Sequence, residues 1–373
     1  MSLWIMDGNE AIARAAVMSG CRFFAGYPIT PATTILNSML TLLPPVGGVC
    51  LQGEDEIASI GFCLGAAMTG LKTLTATSGP GISLYSEQIS FAIASQIPIV
   101  IVDVQRLGPS TGSATKGADG DIQFLRWGSS GGLPVIVLSP ADVADCYELT
   151  MHAFNLAETY RCPVFIAANK EIAMTRETLD LEALNLPAVV ERKQVEPGSA
   201  RLPYELDAEA SAPHFMPIGG ERLMRVTSST HGPDAYITGD PALIARMQDR
   251  LRYKLEMNAE RFTYFDLEAP NGAGTLVIAY GVTARAARTA VSTACRAGNP
   301  TALLVLKTLW PVPEPLIRAI AAPYRRVIMA EMNLGQYVRE IERLLPDKPI
   351  RFLGQMNGEL IKPAQILEVI QNG

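Results

Sequence analysis

The sequence predicts an α/β protein built as parallel sheets with helices on both faces. Two observations predict it. The candidate strands, such as 98–104 and 163–167, are continuous Val/Ile/Leu runs rather than alternating ones, the pattern of strands buried on both faces. Helical patterns alternate with those strands, as crossover connections require. A third observation sets the number of units. At 373 residues the chain is too long for one ordinary core, and the strand pattern lapses between 184 and 270. The expected organisation is therefore a first α/β domain over 1–183, a connector over 184–270 and a second α/β domain over 271–373.

Residues 8–20 are alanine-rich with helical spacing, and Gly20 is a stop signal. A strand over 21–25 is broken by Gly26, Pro28 and Pro31. A helix over 33–43, a strand over 49–52, a helix over 53–69 and a strand over 72–77 follow. Ser78-Gly79-Pro80-Gly81 then leads into one helix running through Ala94. Strands are expected at 98–104, 135–138 and 163–167, with a helix over 142–159. Prolines 187, 197, 203, 213, 217 and 233 mark the connector, which wraps the first domain and ends in an amphipathic helix over 241–260, with Leu243, Met247, Leu251 and Leu255 at four-residue steps. Beyond it come strands at 275–279, 301–306 and 326–331, and helices at 283–297, 334–345 and 363–370.

Composition narrows the function. Hydrophobic residues are 48% and charged residues 18%, an apolar balance that fits a large subunit interface. A net charge of −6 without a basic run argues against nucleic acid as a partner. No apolar stretch approaches the roughly 20 residues that span a bilayer, so no membrane association is expected. The opening Met1-Ser2-Leu3-Trp4 lacks the layout of an export signal. The six cysteines, at 21, 50, 63, 146, 162 and 295, include no CxxC pair. That spacing suits neither an iron–sulfur cluster nor a structural zinc site, and unpaired cysteines point to the reducing cytoplasm. The three histidines offer no metal-ligand spacing, and no metal site is expected on this chain.

Three segments carry candidate chemistry. Thr77-Ser78-Gly79-Pro80-Gly81 joins a strand to a helix; its glycines permit a tight turn and the helix start offers free N–H groups, although such turns are common in α/β folds. It is neither a Walker loop nor GxGxxG. Glu54-Asp55-Glu56 opens a helix. Acidic residues there gain roughly 0.3–1 kcal/mol each from the helix dipole with no further role. Behind Glu56, however, Gly61 and Gly65 stand on one helix face, at roughly 1 kcal/mol each relative to Ala, which points to close approach of another backbone or a cofactor. Arg106 follows a strand at the end where open parallel sheets hold ligands. There it is either a surface arginine or a bidentate partner for a carboxylate.

Together, Tyr27-Pro28-Ile29-Thr30-Pro31, Glu56 with its small-residue helix, the Thr77–Gly81 turn, Arg106 with Gly108-Pro109-Ser110-Thr111-Gly112, Leu306-Lys307-Thr308-Leu309-Trp310-Pro311 and Glu331-Met332-Asn333-Leu334-Gly335-Gln336 resemble the α subunit of 2-oxoacid:ferredoxin oxidoreductases, closest to the 2-oxoglutarate type. The resemblance implies a pyrimidine-binding thiamine diphosphate domain followed by a transketolase C-terminal-like domain. It implies a coenzyme shared with a β subunit, with Glu56 as the catalytic carboxyl on the aminopyrimidine ring and Pro28, Thr77, Ser78 and Gly79 beside the cofactor. Thr30 and Arg106 become substrate contacts, and Tyr27 and Ile29 shape the pocket. Magnesium and diphosphate sites are expected on the partner, because Gly-Asp-Gly with a downstream Asn is missing, and the iron–sulfur cluster is expected there too, because the cysteines here are scattered. The nearest string, Ala118-Asp119-Gly120-Asp121, lacks the leading glycine. The implied reaction takes a 2-oxoacid, coenzyme A and oxidised ferredoxin to acyl-CoA, carbon dioxide and reduced ferredoxin, in an (αβ)2 complex. The segment 113–119 departs from the family pattern and leaves the substrate open. Two rivals stand beside this reading: a subunit of a non-oxidative thiamine-dependent decarboxylase or synthase, and a non-catalytic scaffold in which Glu54–Glu56 merely cap a helix.

Overall fold

A computed structural model describes residues 3–372; Met1 and Ser2, half of the stretch read for an export signal, lie outside the described residues. The chain runs β1 (Leu3–Asp7), α1 (Gly8–Met18), β2 (Cys21–Gly26), α2 (Thr33–Leu42), β3 (Val49–Gln52), α3 (Glu56–Met68), β4 (Lys72–Thr77), α4 (Pro80–Leu84), α5 (Ser86–Ser95), β5 (Ile99–Gln105), α6 (Ile122–Trp127), β6 (Ile136–Leu138), α7 (Val143–Tyr160), β7 (Pro163–Asn169), α8 (Lys170–Met174) and β8 (Arg176–Asp180). After an irregular stretch it continues through α9 (Pro241–Glu256), β9 (Phe265–Glu268), β10 (Thr275–Tyr280), α10 (Thr283–Arg296), β11 (Thr301–Leu306), β12 (Thr308–Trp310), α11 (Glu314–Ala321), β13 (Arg326–Glu331), α12 (Val338–Leu344), β14 (Ile350–Gly354) and α13 (Pro363–Asn372).

Two sheets organise these elements. The first has the order β12-β6-β7-β5-β4-β2-β3, and the second β14-β13-β10-β11-β9. The apolar strand runs are buried on both sides as their composition requires. In the first sheet, Val100, Val102 and Val104 of β5 face α1, α2 and α7, while Ile99 and Ile101 face α3 and α5. The second sheet packs α10 and α13 on one face and α11 and α12 on the other. The expected α/β class with parallel sheets is the one observed.

Several elements depart from expectation. The sheets are not purely parallel, since β12 and β9 pair antiparallel at their edges and β1 and β8 form a separate antiparallel ribbon. These strands have three to five residues, too few to display a period. The strand β14 and the short helices α6, α8 and α11 escaped the pattern reading as well. The helix expected to run from 78 through Ala94 is instead two, broken at Tyr85, whose buried hydroxyl lies 2.8 Å from Thr75 Oγ1 beneath the sheet face.

The irregular stretch after β8 is pinned to the first sheet by a buried ion pair. Arg192 donates to Glu158 through Nε (2.5 Å) and Nη2 (2.9 Å), and to the carbonyls of Ala67 and Leu71 at the end of α3. Both side chains are about 3% exposed. Removing one partner of such a pair strands a buried charge, at about 3–5 kcal/mol. R192A should therefore lower the stability of the chain by that amount in denaturant unfolding. A loss below about 1 kcal/mol would mean that the connector is not anchored here.

Candidate active site

The strand order decides where the sequence motifs meet. β5, β4, β2 and β3 are consecutive and mutually parallel. Their C-terminal ends therefore lie along one sheet edge, where open α/β sheets bind ligands. Tyr27–Pro31 leaves β2, Glu54–Glu56 leaves β3, Thr77–Gly81 leaves β4, and Arg106 leaves β5. Motifs up to 80 positions apart thus become neighbours.

The three acidic residues after β3 divide their roles. Asp55 is the N-cap of α3 and accepts the N–H of Ala58 at 2.7 Å. Glu54 is exposed. Glu56, the first residue of the helix, is turned inward and only 7% exposed. Because Asp55 does the capping, Glu56 is free for something else. Its carboxyl stands against Gly81: a Cβ built on Gly81 would lie 3.0 Å from Glu56 Oε1 and 1.9 Å from Thr77 Oγ1. Only glycine leaves room for these two side chains.

Around this carboxyl, Thr77 Oγ1, Ser78 Oγ and Arg106 Nε are all buried with no hydrogen-bond partner among the described residues. Buried polar atoms are normally paired. Three unpaired ones at one strand-end cluster fit a polar ligand that supplies the missing partners. Gly79 adopts φ +51°, a conformation that favours glycine, and a Cβ there would meet Arg106 Nε at 3.2 Å.

Arg106 is not a surface arginine. It is 5% exposed, and its Nη1 donates to the Thr30 carbonyl at 2.6 Å. That bond leaves the edge formed by Nε and Nη2 for a carboxylate. The Thr30 loop is held from behind by Asn9, whose amide donates to the Pro31 carbonyl (2.8 Å) and to Thr34 Oγ1 (2.6 Å). Thr30 and Tyr27 are exposed at the rim, Pro28 is half-buried, and Ile29 packs partly into the core. The structure thus brings Tyr27, Pro28, Ile29, Thr30, Glu56, Thr77, Ser78, Gly79 and Arg106 to one end of one sheet.

Sequence reasoning took Gly81 only as part of a tight turn, and it missed a buried carboxyl pair, Asp103 and Asp121. The available signal was an aspartate directly behind the aliphatic run 99–102 of β5. In the sequence Asp119 stands out only as part of the string nearest to a metal signature. It instead accepts from Asn169 Nδ2 at 2.8 Å, and its backbone bonds to Met332 and Asn333 at the end of β13. Burial pushes its carboxyl up to about 7. Among the described residues, no group of three or more His, Cys, Asp or Glu is placed to hold a metal ion.

A cavity of about 790 Å³ does not coincide with this row. It lies between the two sheet units and includes Lys116, Lys170, Arg285 and Lys362 in its lining. Exposed apolar side chains accompany the strand-end row: Tyr27 (39%), Leu51 (39%), Ile57 (47%), Phe62 (48%) and Leu84 (47%). Apolar exposure bordering a polar cluster is the signature of a surface completed by another chain.

Comparison with known proteins decides the family. Residues 14–248 match the family described as pyruvate flavodoxin/ferredoxin oxidoreductase, thiamine diP-bdg, and residues 273–366 match pyruvate:ferredoxin oxidoreductase core domain II. The chain belongs to the 2-oxoacid:ferredoxin oxidoreductase family, as an α subunit. It is 37% identical to the 2-oxoglutarate synthase subunit KorA of Methanothermobacter thermautotrophicus over 98% of both chains. It is 32% identical to the ketoisovalerate oxidoreductase subunit VorB of the same organism, over 100% of this chain and 98% of that one. Among solved structures, 2-oxoglutarate:ferredoxin oxidoreductase from Magnetococcus marinus superposes with TM-score 0.93 at 32% identity. The match covers 99% of this chain and 65% of that one. A split-gene transketolase chain shares the fold at TM-score 0.56 and 14% identity, over 98% of this chain and 97% of that one.

The family's coenzyme fits the residues present. Thiamine diphosphate carries a polar ring, and the unpaired hydroxyls of Thr77 and Ser78 beside Glu56 and Gly81 are a site of matching chemistry. G81A should therefore push Thr77 and Glu56 apart. The expected outcome is at least a tenfold loss of coenzyme affinity in titrations of the assembled enzyme, with overpacking costing about 1–3 kcal/mol of stability. Undiminished affinity would show that the Gly81 cradle is not part of the coenzyme site.

Proposed function

We propose that this α subunit provides the ring-side half of a shared active centre that decarboxylates 2-oxoglutarate oxidatively, passing electrons to ferredoxin and the acyl group to coenzyme A. The observation that carries the reading is the buried Glu56 beside the unpaired Thr77 and Ser78 hydroxyls, at the end of the sheet where Arg106 also arrives. The KorA relatives support 2-oxoglutarate as the substrate, while the VorB relatives at similar coverage show that this scaffold accompanies other 2-oxoacids.

Thiamine diphosphate, when bound, supplies the electron sink into which carbon dioxide is lost. Glu56 would hold and move a proton at the coenzyme's aminopyrimidine ring, with Pro28, Thr77, Ser78 and Gly79 forming the wall against it. The Nε–Nη2 edge of Arg106 would take the substrate carboxylate, with Thr30 beside it and Tyr27 and Ile29 limiting the pocket. A β subunit would cover the rim and carry magnesium, the diphosphate site and the iron–sulfur cluster, in an (αβ)2 assembly in the cytoplasm. The proposed domain organisation is 1–183, 184–270 and 271–373.

The test is reconstitution with the partner subunits and an assay of 2-oxoacid-dependent reduction of an electron acceptor. E56Q should lower turnover by about 10²–10⁴-fold, the range for a positioned proton-transfer group. Unchanged turnover would favour a scaffold role for the acidic turn. R106A should act on KM for the 2-oxoacid. A lost charged contact of about 2 kcal/mol or more corresponds to roughly 30-fold, and an unaffected KM would remove Arg106 from the substrate site.

A further inference from the structure

Asp103 lies in β5 behind four consecutive aliphatic residues, 99–102, and is fully buried. It shares a sheet face with Ile99 and Ile101 and is paired in register with Thr77 of β4. Among the described residues, no donor reaches either of its carboxyl oxygens, nor Asp121 Oδ2. What faces Asp103 is the Asp121 carboxyl, within hydrogen-bond reach. Asp121 is fixed there by its own backbone, whose N–H is taken by Gln105 Oε1 at 3.0 Å. Two buried carboxylates in contact repel each other and leave acceptors unpaired. One proton between them removes both penalties and leaves one negative charge on the pair.

That charge has a counterpart. Arg106 follows Asp103 by three residues, is buried, and takes part in no ion pair within 4 Å among the described residues. A buried guanidinium without a compensating charge is costly, and Asp121 is within electrostatic reach of it. The other charged group near the pair is Asp119 in the same loop, with Glu331 of β13 behind it. Asp119 is tied to Asn169, and Glu331 to Tyr280, Asn333 and the backbone of Tyr337 and Val338.

We propose that Asp103 and Asp121 share one proton and act as a single negative charge that holds Arg106 when no substrate is present and tempers its grip on the 2-oxoacid carboxylate. Two negative charges would cancel the guanidinium's attraction for an anion. None would leave a buried cation alone after each turnover. The pair thus sets how tightly the substrate head group is held, as positioning residues acting through Arg106. The inference rests on Arg106 being the carboxylate contact.

Burial pushes Asp121 up to about 6, while its hydrogen bond from Asp103 and the charge of Arg106 pull it back down; burial and the neighbouring Asp121 hold Asp103 well above the usual range. As pH falls through about 6 the pair takes a second proton, and the attraction of Arg106 for an anion rises. The probe is oxamate, an isostere of the 2-oxoacid head group that stays ionised over this range. Its inhibition constant is measured on the reconstituted holoenzyme between pH 5 and 7.5. In the unaltered enzyme oxamate should bind about 3–10-fold more tightly at pH 5 than at pH 7.5. D121N should bind it 3–10-fold more tightly at pH 7.5 and flatten the profile. D103A removes the donor that favours ionised Asp121 and should move the midpoint upward. A flat profile in the unaltered enzyme overturns the proposal without any variant, and so does D121N binding more weakly, as a damaged site would. R106A separates the two levels. If it weakens oxamate binding while the profile of the unaltered enzyme is flat, only the role of the pair fails. If R106A leaves binding as it was, the assignment of Arg106 fails and the proposal with it.

Discussion

The site depends on which side chain caps one helix. At the start of α3, Asp55 accepts the free N–H of Ala58, and the adjacent carboxyl, Glu56, is therefore not consumed by the helix that displays it. A capping contact contributes about 1 kcal/mol, a small sum, but it fixes the rotation of the first turn. That rotation turns Glu56 into the sheet edge and leaves Ile57 facing out. Everything else in the row is arranged around that carboxyl. Gly81 supplies the space, Thr77 and Ser78 bring hydroxyls with nothing yet to bond, and Gly79 lets Arg106 pass.

Topology turns this local arrangement into a site. Four turns leave four adjacent parallel strands, so no loop has to travel far to reach its neighbours. The row is flanked by exposed aromatic and aliphatic side chains, and a cavity of about 790 Å³ lies elsewhere, between the two sheet units. Among the described residues, no group of three or more His, Cys, Asp or Glu is placed to hold a metal ion. The anchoring of the connector through Arg192 supports the row, since its guanidinium bonds the carbonyls of Ala67 and Leu71 where α3 ends. The helix that presents Glu56 is therefore fixed at both termini.

Much of this was legible in the sequence. The central strands announce themselves because burial on both faces demands unbroken apolar runs, and the turns after β2, β3, β4 and β5 carry glycine, proline or acidic residues that stand out against them. What stayed hidden was short or relational. β9 and β12 have four and three residues and gain their identity only from pairing with β11 and β6. The α4–α5 break depends on the tertiary contact of Tyr85 with Thr75. Gly81 reads as one more glycine until Thr77 and Glu56 are seen on either side. Asp103 was visible as an oddity in β5, but its partner lies 18 positions away in a loop, and only folding shows that the two carboxyls face each other.

The central claim is that Glu56 touches the coenzyme ring across a seam between two chains. The most direct measurement is the structure of the assembled complex with thiamine diphosphate bound. The account predicts Glu56 Oε1 or Oε2 within about 2.6–3.2 Å of an aminopyrimidine nitrogen, with the partner subunit over Ile57 and Phe62. A coenzyme ring met by a carboxyl of the other subunit, with Glu56 bonded only within its own chain, would contradict it.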